Sequence, residues 1–421
     1  ARLQYIISLS SGKTIKVRQL TDEGDFPVYG GNGINGMYSY YNVEPKTIVI
    51  GRVGYYCGSV YKTISKAWVT DNALIATIKE PNIFDIDFLV STLTYLNLGT
   101  TSVSTAQPVV SGKGILPLIV PIPPKKEQNR ILRQIKKIAP LLDAIENSQK
   151  ETLSLIANTK SKILDLAIRG KLVPQDPNDE PASVLLERMR AEKEELIKQG
   201  KIKRDKKESV IFKGDDNSYY EKFDGEVSCI DEEIPYNIPD TWTWMRLENC
   251  CVKEIRRGKS PKYAEISNVI VFAQKCNTKY NGIDISLAQY LDETTIKRYP
   301  TDEHMQDGDI VINSTGTGTL GRVGIYRNTD NTTGLLIVPD SHVTVIRSFS
   351  CISSHYLYAF MKAHQTELEK KGEGSTNQKE LKPLTLKEML IAVPPLSEQK
   401  RIDKSINVAF SHLAIIEKCL N

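Results

Sequence analysis

Two groups of residues could carry chemistry, the glycine-rich segments and the histidines, and neither has the spacing that a cofactor site or catalysis needs. The glycines at 31, 33 and 36 and at 316, 318 and 321 match Gly-x-Gly-x-x-Gly, but strand-like residues follow each group, whereas a dinucleotide site opens a helix there. The five histidines show neither metal-ligand nor triad spacing. Neither a Walker A sequence nor an Asn-Pro-Pro-Tyr or Asp-Pro-Pro-Tyr tetrad occurs. The sequence therefore predicts a non-catalytic binding protein, without a bound metal or cofactor, that carries two mobile glycine-rich loops.

The polar side chains that remain are of the types that contact phosphates and base edges. Gly-Arg-Val-Gly occurs at 51–54 and again at 321–324, and Ser-Thr-x-Gln occurs at 104–107 and again at 375–378. Arg52, Arg322, Gln107 and Gln378 are therefore the favoured candidates, although a shared structural role would give the same recurrence. The full set of candidates for DNA contact is Lys13, Asn32, Asn35, Arg52, Lys62, Gln107, Lys113, Lys259, Lys262, Lys275, Asn277, Thr317, Arg322, Asn377, Gln378 and Lys379.

The start of a long helix also occurs twice. Pro-Pro-Lys-Lys-Glu-Gln-Asn-Arg-Ile at 123–131 is matched by Pro-Pro-Leu-Ser-Glu-Gln-Lys-Arg-Ile at 394–402, an offset of 271 residues, and proline suits a first helical turn. Apolar residues then recur at alternating steps of four and three, the a/d seam of a helix that packs on another long helix. The predicted seams are Ile131, Ile135, Ile138, Leu142 and Ile145, and Ile402, Ile406, Ala409, Leu413, Ile416 and Leu420.

This repeat predicts an α+β fold with pseudo-two-fold symmetry, in which two similar α/β globular domains each precede a long helix. The first helix is expected from about Lys125 to Ile168, with a kink or a brief break at Pro140. Because Gly12-Lys13 matches Gly258-Lys259 at an offset of only 246, the second domain is expected to have longer loops. The predicted boundaries are 1–120 for the first globular domain, 121–208 for the first helical region with a crossing segment and a short helix, 209–239 for an extended linker, 240–391 for the second globular domain and 392–421 for the second helical region.

Composition is that of an ordinary globular chain, with 40% hydrophobic and 25% charged residues among 421 and no apolar run long enough to span a membrane. The seven cysteines form no Cys-x-x-Cys pair, so we expect a reduced, cytoplasmic protein. The net charge of +4 is too small to indicate nucleic-acid binding by itself. The segment 234–244 has no counterpart before Ala1, so we expect a trimmed N-terminus.

Three motifs together carry a family resemblance. The duplicated Pro-Pro-x-x-Glu-Gln-x-x-Ile start, Ala-Ile-Arg-Gly-Lys-Leu-Val-Pro-Gln at 167–175 and Ile-Pro-Asp-Thr-Trp-Thr-Trp at 238–244 closely resemble the specificity (S) subunit of type I restriction-modification enzymes. The resemblance covers nearly the whole chain. It implies two target recognition domains, each reading one half of a bipartite, gapped DNA sequence. It further implies two long antiparallel helices that form a coiled-coil spacer.

The resemblance also implies partners. Two methyltransferase (M) subunits would bind the spacer helices and restriction (R) subunits would join them, with S-adenosylmethionine, ATP and Mg used by these partners and none bound by this chain. Because the two halves differ in their loops, the half-sites should differ, and the modest charge implies that the S chain alone binds DNA weakly. Two alternatives stay open: a coiled-coil scaffold whose globular domains recognise peptides, or an S-like antagonist without DNA specificity of its own.

Overall fold

The computed structural model describes residues 1–21, 23–102, 108–204, 209–280, 282–316, 318–374 and 379–420. The chain divides into two compact units, residues 1–148 and 149–421, called here the first and the second unit. The boundary falls inside one long helix, so each unit contains part of it. In the part of the chain just given, no helix is long and apolar enough to cross a membrane.

In the first unit, an antiparallel sheet of strand order β1-β7-β4-β5 lies beside a smaller sheet of order β3-β2-β6. Apolar residues of the larger sheet, such as Ile7, Ile48 and Ile50, are fully buried and share a core with Leu89 and Leu93 of the helix α1. The elements are β1 (Ile7–Ser11), β2 (Phe26–Gly30), β3 (Gly33–Tyr38), β4 (Ile48–Gly51), β5 (Val60–Lys62), β6 (Trp68–Val69), β7 (Ala73–Ile78), α1 (Ile86–Tyr95), α2 (Gly112–Ile115) and the long helix α3 (Lys125–Ile168).

The second unit repeats this plan with additions. Its sheets have the orders β10-β9-β8, β11-β19, β12-β14-β13-β17 and β16-β15-β18. Its elements are α4 (Ala182–Lys198), β8 (Ser209–Lys213), β9 (Tyr219–Phe223), β10 (Glu226–Cys229), β11 (Thr243–Arg246), β12 (Tyr263–Ala264), β13 (Val269–Phe272), β14 (Gln289–Leu291), β15 (Ile310–Asn313), β16 (Val323–Ile325), β17 (Leu336–Pro339), β18 (Val343–Ile346), α5 (Ser354–Ala363), α6 (Gln365–Lys370), α7 (Pro383–Lys387), β19 (Leu390–Val393) and α8 (Leu396–Leu420).

Strand register shows that the two units share one frame. Gly51 at the end of β4 pairs with Ala73 of β7, and Asn313 at the end of β15 pairs with Val343 of β18 in the same antiparallel sense. On the other side, β5 pairs with β4 as β16 pairs with β15. A ten-residue helix follows each frame, α1 in one unit and α5 in the other. The predicted α+β fold and its internal repeat are confirmed.

The repeated Gly-Arg-Val-Gly does not mark equivalent places in this frame, and the prediction that it does is wrong. Gly321 donates its N–H to Asn313 O at 2.8 Å, and the matching contact in the first unit comes from Gly58, whose N–H lies 2.7 Å from Gly51 O. Both glycines have positive φ. A Cβ on Gly58 would lie 2.1 Å, and a Cβ on Gly321 would lie 2.6 Å, from a backbone nitrogen of a helical segment later in the same unit. Arg322 therefore corresponds to Ser59, not to Arg52.

The first glycine-rich segment, predicted as a mobile loop, is a tight turn in the structure. It forms the turn between β2 and β3, which pair from Phe26 with Tyr38 to Gly30 with Gly33. A Cβ on Gly31 would lie only 2.5 Å from Val53 O, so the glycine permits a close approach of two backbone segments. Tight packing accounts for the glycine here.

The prediction of an extended linker at 209–239 also needs correction, because residues 209–229 form the antiparallel meander β8-β9-β10. Its turns place Asn217, Asp224 and Gly225 at positive φ, and Asp-Gly is a preferred two-residue hairpin turn. The Asp224-Gly225 pair between two strand-like runs was the signal in the sequence.

Candidate nucleic-acid interface

At one end of the first unit's frame, backbone hydrogen bonds bring three loops together. Arg52 N donates to Asn72 O at 2.9 Å, and Val110 N donates to Arg52 O at 2.9 Å. Val53 and Val109 form an isolated antiparallel bridge beside them. We call this end the first rim, and its side chains come from Ser11, Arg52, Val53, Asn72 and Val109.

The second unit has the same contacts with other residues. Ser314 N donates to His342 O at 2.8 Å, and Leu381 N donates to Ser314 O at 2.8 Å. Thr315 and Glu380 form the isolated bridge. We call this end the second rim, and its side chains come from Arg257, Ser314, Thr315, His342 and Glu380. Each position of one rim has a counterpart in the other, yet all five residue types differ.

The glycine beside each rim confirms the predicted match of Gly12-Lys13 with Gly258-Lys259. A Cβ on Gly12 would lie 2.2 Å from Thr70 O, and a Cβ on Gly258 would lie 2.2 Å from Asp340 O. Only glycine allows the backbone to approach so closely. The same backbone crossing therefore supports both rims.

Two contacts hold the side chain of Arg257, a cation of the second rim. Its Nε donates to Ser341 O at 2.7 Å, and its Nη1 makes an ion pair with the Glu380 carboxylate. The Arg257 side chain is 27% exposed and that of Glu380 is 45% exposed. The guanidinium is thus fixed on one side and open to solvent on the other.

The neighbouring side chains of the second rim are polar and also fixed. Thr315 Oγ1 lies 2.7 Å from Nδ1 of the exposed His342, while Ser314 is buried with its Oγ 2.7 Å from Thr344 Oγ1. Beneath them Asp340 accepts the His342 N–H at 2.8 Å, and burial raises the pKa of Asp340. The rim therefore offers donors and acceptors on a rigid base.

The first rim presents different chemistry. Arg52 is partly exposed, and its Nη1 lies 3.4 Å from Ser11 Oγ. Asn72 is exposed. In the loop after Arg52, the rings of Tyr55 and Tyr56 pack edge to face, and these residues are 89% and 52% exposed, respectively. Aromatic rings and guanidinium groups are both suited to contact with bases.

Several predicted DNA contacts are already used by the fold. Lys62 makes an ion pair with Asp87 in the first turn of α1, and this hydrogen bond lowers the pKa of Asp87. Asn277 is 1% exposed and donates to Asn313 Oδ1 at 3.2 Å and Arg322 O at 3.0 Å. Arg322 donates in turn to the carbonyls of Asn277 and Gly318 at 2.8 and 3.1 Å. These side chains stabilise loops, which argues against base contact.

Two further lysines have internal partners. Lys262 lies 2.7 Å from Asp292 and holds the pKa of that carboxyl at about 2, while Lys259 donates to the Arg298 carbonyl near the Tyr299 ring. Among the other candidates, exposed side chains belong to Lys13, Asn32, Asn35, Lys113, Lys275 and Lys379, and Lys262 is itself 69% exposed. Gln107, Thr317, Asn377 and Gln378 lie outside the described residues. Contact with DNA stays a prediction for every candidate.

Sequence reasoning missed the rim residues Arg257, His342, Glu380 and Asn72. A usable signal existed, since Arg257 directly precedes the Gly258-Lys259 match. The other three required the strand register, because the offset between equivalent residues changes from 246 to 271 along the chain. Strand pairing identified equivalent residues of the two units more reliably than identical tetrapeptides did.

The buried glutamine of each helix start attaches that helix to its globular part. In the first unit, Gln128 Oε1 accepts the N–H of Asp85 at 2.8 Å, and its Nε2 donates to Pro123 O at 2.9 Å. In the second, Gln399 makes the same pair of bonds with Ser353 N (2.7 Å) and Pro394 O (3.0 Å). Asp85 and Ser353 are the N-caps of α1 and α5. The duplicated Glu-Gln motif thus has a structural basis.

The two predicted seams differ in exposure. In the second unit Ile402 and Ile406 are buried in one core with Leu164 and Ile168 near the end of α3, while the Gln149 side chain donates to the Leu420 carbonyl. The final turns of α3 are therefore antiparallel to α8. In the first unit the seam forms an exposed apolar stripe, its exposure rising from 36% to 64% through Ile131, Ile135, Ile138, Leu142 and Ile145. Packing of this stripe stays a prediction.

Comparisons with known proteins agree with this architecture. The family model described as "Type I restriction modification DNA specificity domain" matches residues 2–155 and 239–421. The chain is 34% identical over 262 residues to the type I restriction enzyme EcoAI specificity subunit of Escherichia coli, covering 61% of this chain and 40% of that protein. For the EcoEI specificity subunit of the same species, identity is 31% over 252 residues, covering 59% and 38%. The matches thus span about two fifths of these relatives.

A solved structure gives the same fold. One chain from work on the "structural basis underlying complex assembly and conformational transition of the type I R-M system" has a TM-score of 0.61 at 14% identity, covering 100% of this chain and 92% of that one. Because the family model matches twice and accounts for most of the sequence, this chain belongs to the type I restriction-modification DNA specificity family.

Proposed function

We propose that this chain is a sequence-specific DNA-binding specificity subunit that recognises a bipartite, gapped sequence, one half-site for each unit. The observation that carries the proposal is the pair of rims, where one strand frame presents five different residue pairs. A shared frame suits two DNA half-sites related by approximate symmetry, as in a dimer. Different side chains on that frame would give the two half-sites different sequences.

The charge of the chain supports binding within a complex. A net charge of +4 supplies few phosphate contacts, and two of the lysines predicted to contact DNA, Lys62 and Lys262, are already paired with carboxylates. Phosphate contacts supply most of the non-specific affinity for DNA. The chain would therefore contribute base recognition, and its partners would contribute much of the affinity.

The proposed partners are two methyltransferase subunits, with restriction subunits added for cleavage. The apolar stripe of α3 is a surface on which protein could dock, because large exposed apolar patches commonly mark interaction sites. In this proposal the chain is the non-catalytic subunit. S-adenosylmethionine, ATP and Mg would be bound by the partners.

The same stripe favours a second candidate, a scaffold or antagonist that binds protein without DNA specificity. Footprinting of the complex between the full chain and its methyltransferase subunit distinguishes the two. We expect two short protected segments separated by a fixed gap, with binding that weakens steeply as salt is raised. A stable complex that protects no defined sequence would favour the second candidate.

A further inference from the structure

We propose that one arginine on each rim reads a guanine of its half-site, Arg52 in the first unit and Arg257 in the second. This inference rests on the proposed DNA-binding function and assigns the residues that determine specificity. Arg52 was a candidate because of the tetrapeptide repeat, which the register has overturned. Its position on the rim supplies a different reason, and Arg257 comes from the structure alone.

The fixed geometry of Arg257 is the first argument. A guanidinium group has five N–H donors, and Arg257 uses one on Ser341 O and one on Glu380. Among the residues that the structure describes, Nη2 of Arg257 has no partner. Three N–H donors of Arg257 therefore remain, one on Nη1 and two on Nη2, and two donations in one plane are the arrangement by which arginine binds the O6 and N7 atoms of guanine.

The relation between the two rims is the second argument. Ser11 ends β1 and pairs with Leu74, while Arg257 forms its bridge with Thr344, so Ser11 occupies the place of Arg257. The guanidinium of Arg52 reaches this same place from the end of β4, within 3.4 Å of Ser11 Oγ. Each unit thus supplies one guanidinium over a common point of the frame, but from different strands.

This difference predicts how the half-sites are related. Both should contain a guanine on which recognition depends. Its neighbours should differ, because Arg257 stands beside Thr315 and His342 whereas Arg52 stands beside Asn72 and the exposed Tyr55. The same place in each unit would then hold a guanidinium group, while the side chains around that group differ between the units.

The test measures methylation rates by the complex of the full chain with its methyltransferase subunit, on duplexes carrying each base at each position. With Arg257→Ser, we expect preference for one guanine in one half-site to fall about 5- to 150-fold, the loss of one bidentate contact. Arg52→Ser should do the same in the other half-site only. Either variant leaving all preferences unchanged, or altering both half-sites, would overturn the inference.

A matched control separates base reading from ion-pair loss. Arg327 makes an ion pair with Asp307 and is 23% exposed, but lies at the opposite end of the β15-β16 hairpin, so Arg327→Ser should leave every base preference intact. If the Arg257→Ser variant does not fold, the double variant R257S/E380Q, which removes both partners of the ion pair, takes the place of the single variant in the test. A wild-type complex without any base preference would instead contradict the proposed function.

Discussion

At the scale of single residues, Lys62 should stabilise the fold and not read DNA. Its ion pair lowers the pKa of Asp87, so the contribution is present above the ordinary carboxyl pKa of about 3.9 and is lost as pH falls through the lowered value. Lys62→Met should lower the free energy of unfolding at pH 7 by at most about 1 kcal/mol, because both side chains are partly solvated. The difference should shrink as pH is lowered from about 5 towards about 2.

Calorimetry of the two proteins across this pH range measures the effect. Lys113→Met, at an exposed lysine in the same unit, is the control and should change little. A destabilisation by Lys62→Met that persists unchanged at the acid end of the range would show that the ion pair is not its cause.

The sequence revealed residue types but not which of them the fold had already engaged. Asn277 and Arg322 were plausible DNA contacts by type, yet each satisfies backbone carbonyls of its own loops. Arg257 is also of a type that contacts DNA, but it was not among the predicted contacts. Hydrogen-bond partners between distant segments depend on strand register, which local motifs do not encode.

At the scale of elements, the buried glutamines should be essential to helix attachment. Replacing Gln399 with leucine leaves the Ser353 N–H and the Pro394 carbonyl without partners, at a cost of roughly 1 to 3 kcal/mol for each buried group. Lys400→Leu, at the adjacent exposed position, should change stability by less than about 0.5 kcal/mol. Chemical denaturation of the full chain measures both. Equal stability of the two variants would contradict this role.

Periodicity predicted the elements that depend on local sequence. The bounds of α3 agree with the prediction, and the helix continues through Pro140. The sequence from Asp85 to Leu98 is typical of a helix, and α1 spans Ile86–Tyr95 with Asp85 as its N-cap. The β8-β9-β10 meander was missed although β8 and β9 are rich in Val, Ile, Phe and Tyr and an Asp-Gly turn follows β9.

At the scale of the whole molecule, α3 should act as a ruler between the half-sites. Asn147 is an exposed helical residue on the side of α3 away from the apolar stripe. Inserting four residues after it adds about 6 Å of helix, close to the rise of two base pairs, so the gap in the recognised sequence should lengthen while both half-sites stay unchanged. An unchanged gap in the methylated motif would contradict this expectation.

The repeat itself was predictable, since two copies of a helix start set 271 residues apart are what a duplicated domain-and-helix unit produces. The bases that the proposed function would recognise were not predictable, because they depend on which side chains each rim holds in place. The proposed specificity function requires the same frame with different rims, and only strand pairing shows that the two units have this arrangement.

Long-read methylation sequencing of DNA from cells that express this chain with its cognate methyltransferase subunit tests the proposed specificity function most directly. We predict a bipartite, gapped adenine motif that is absent when this chain is withheld. No new methylated motif, despite a stable complex with the methyltransferase subunit, would contradict that function.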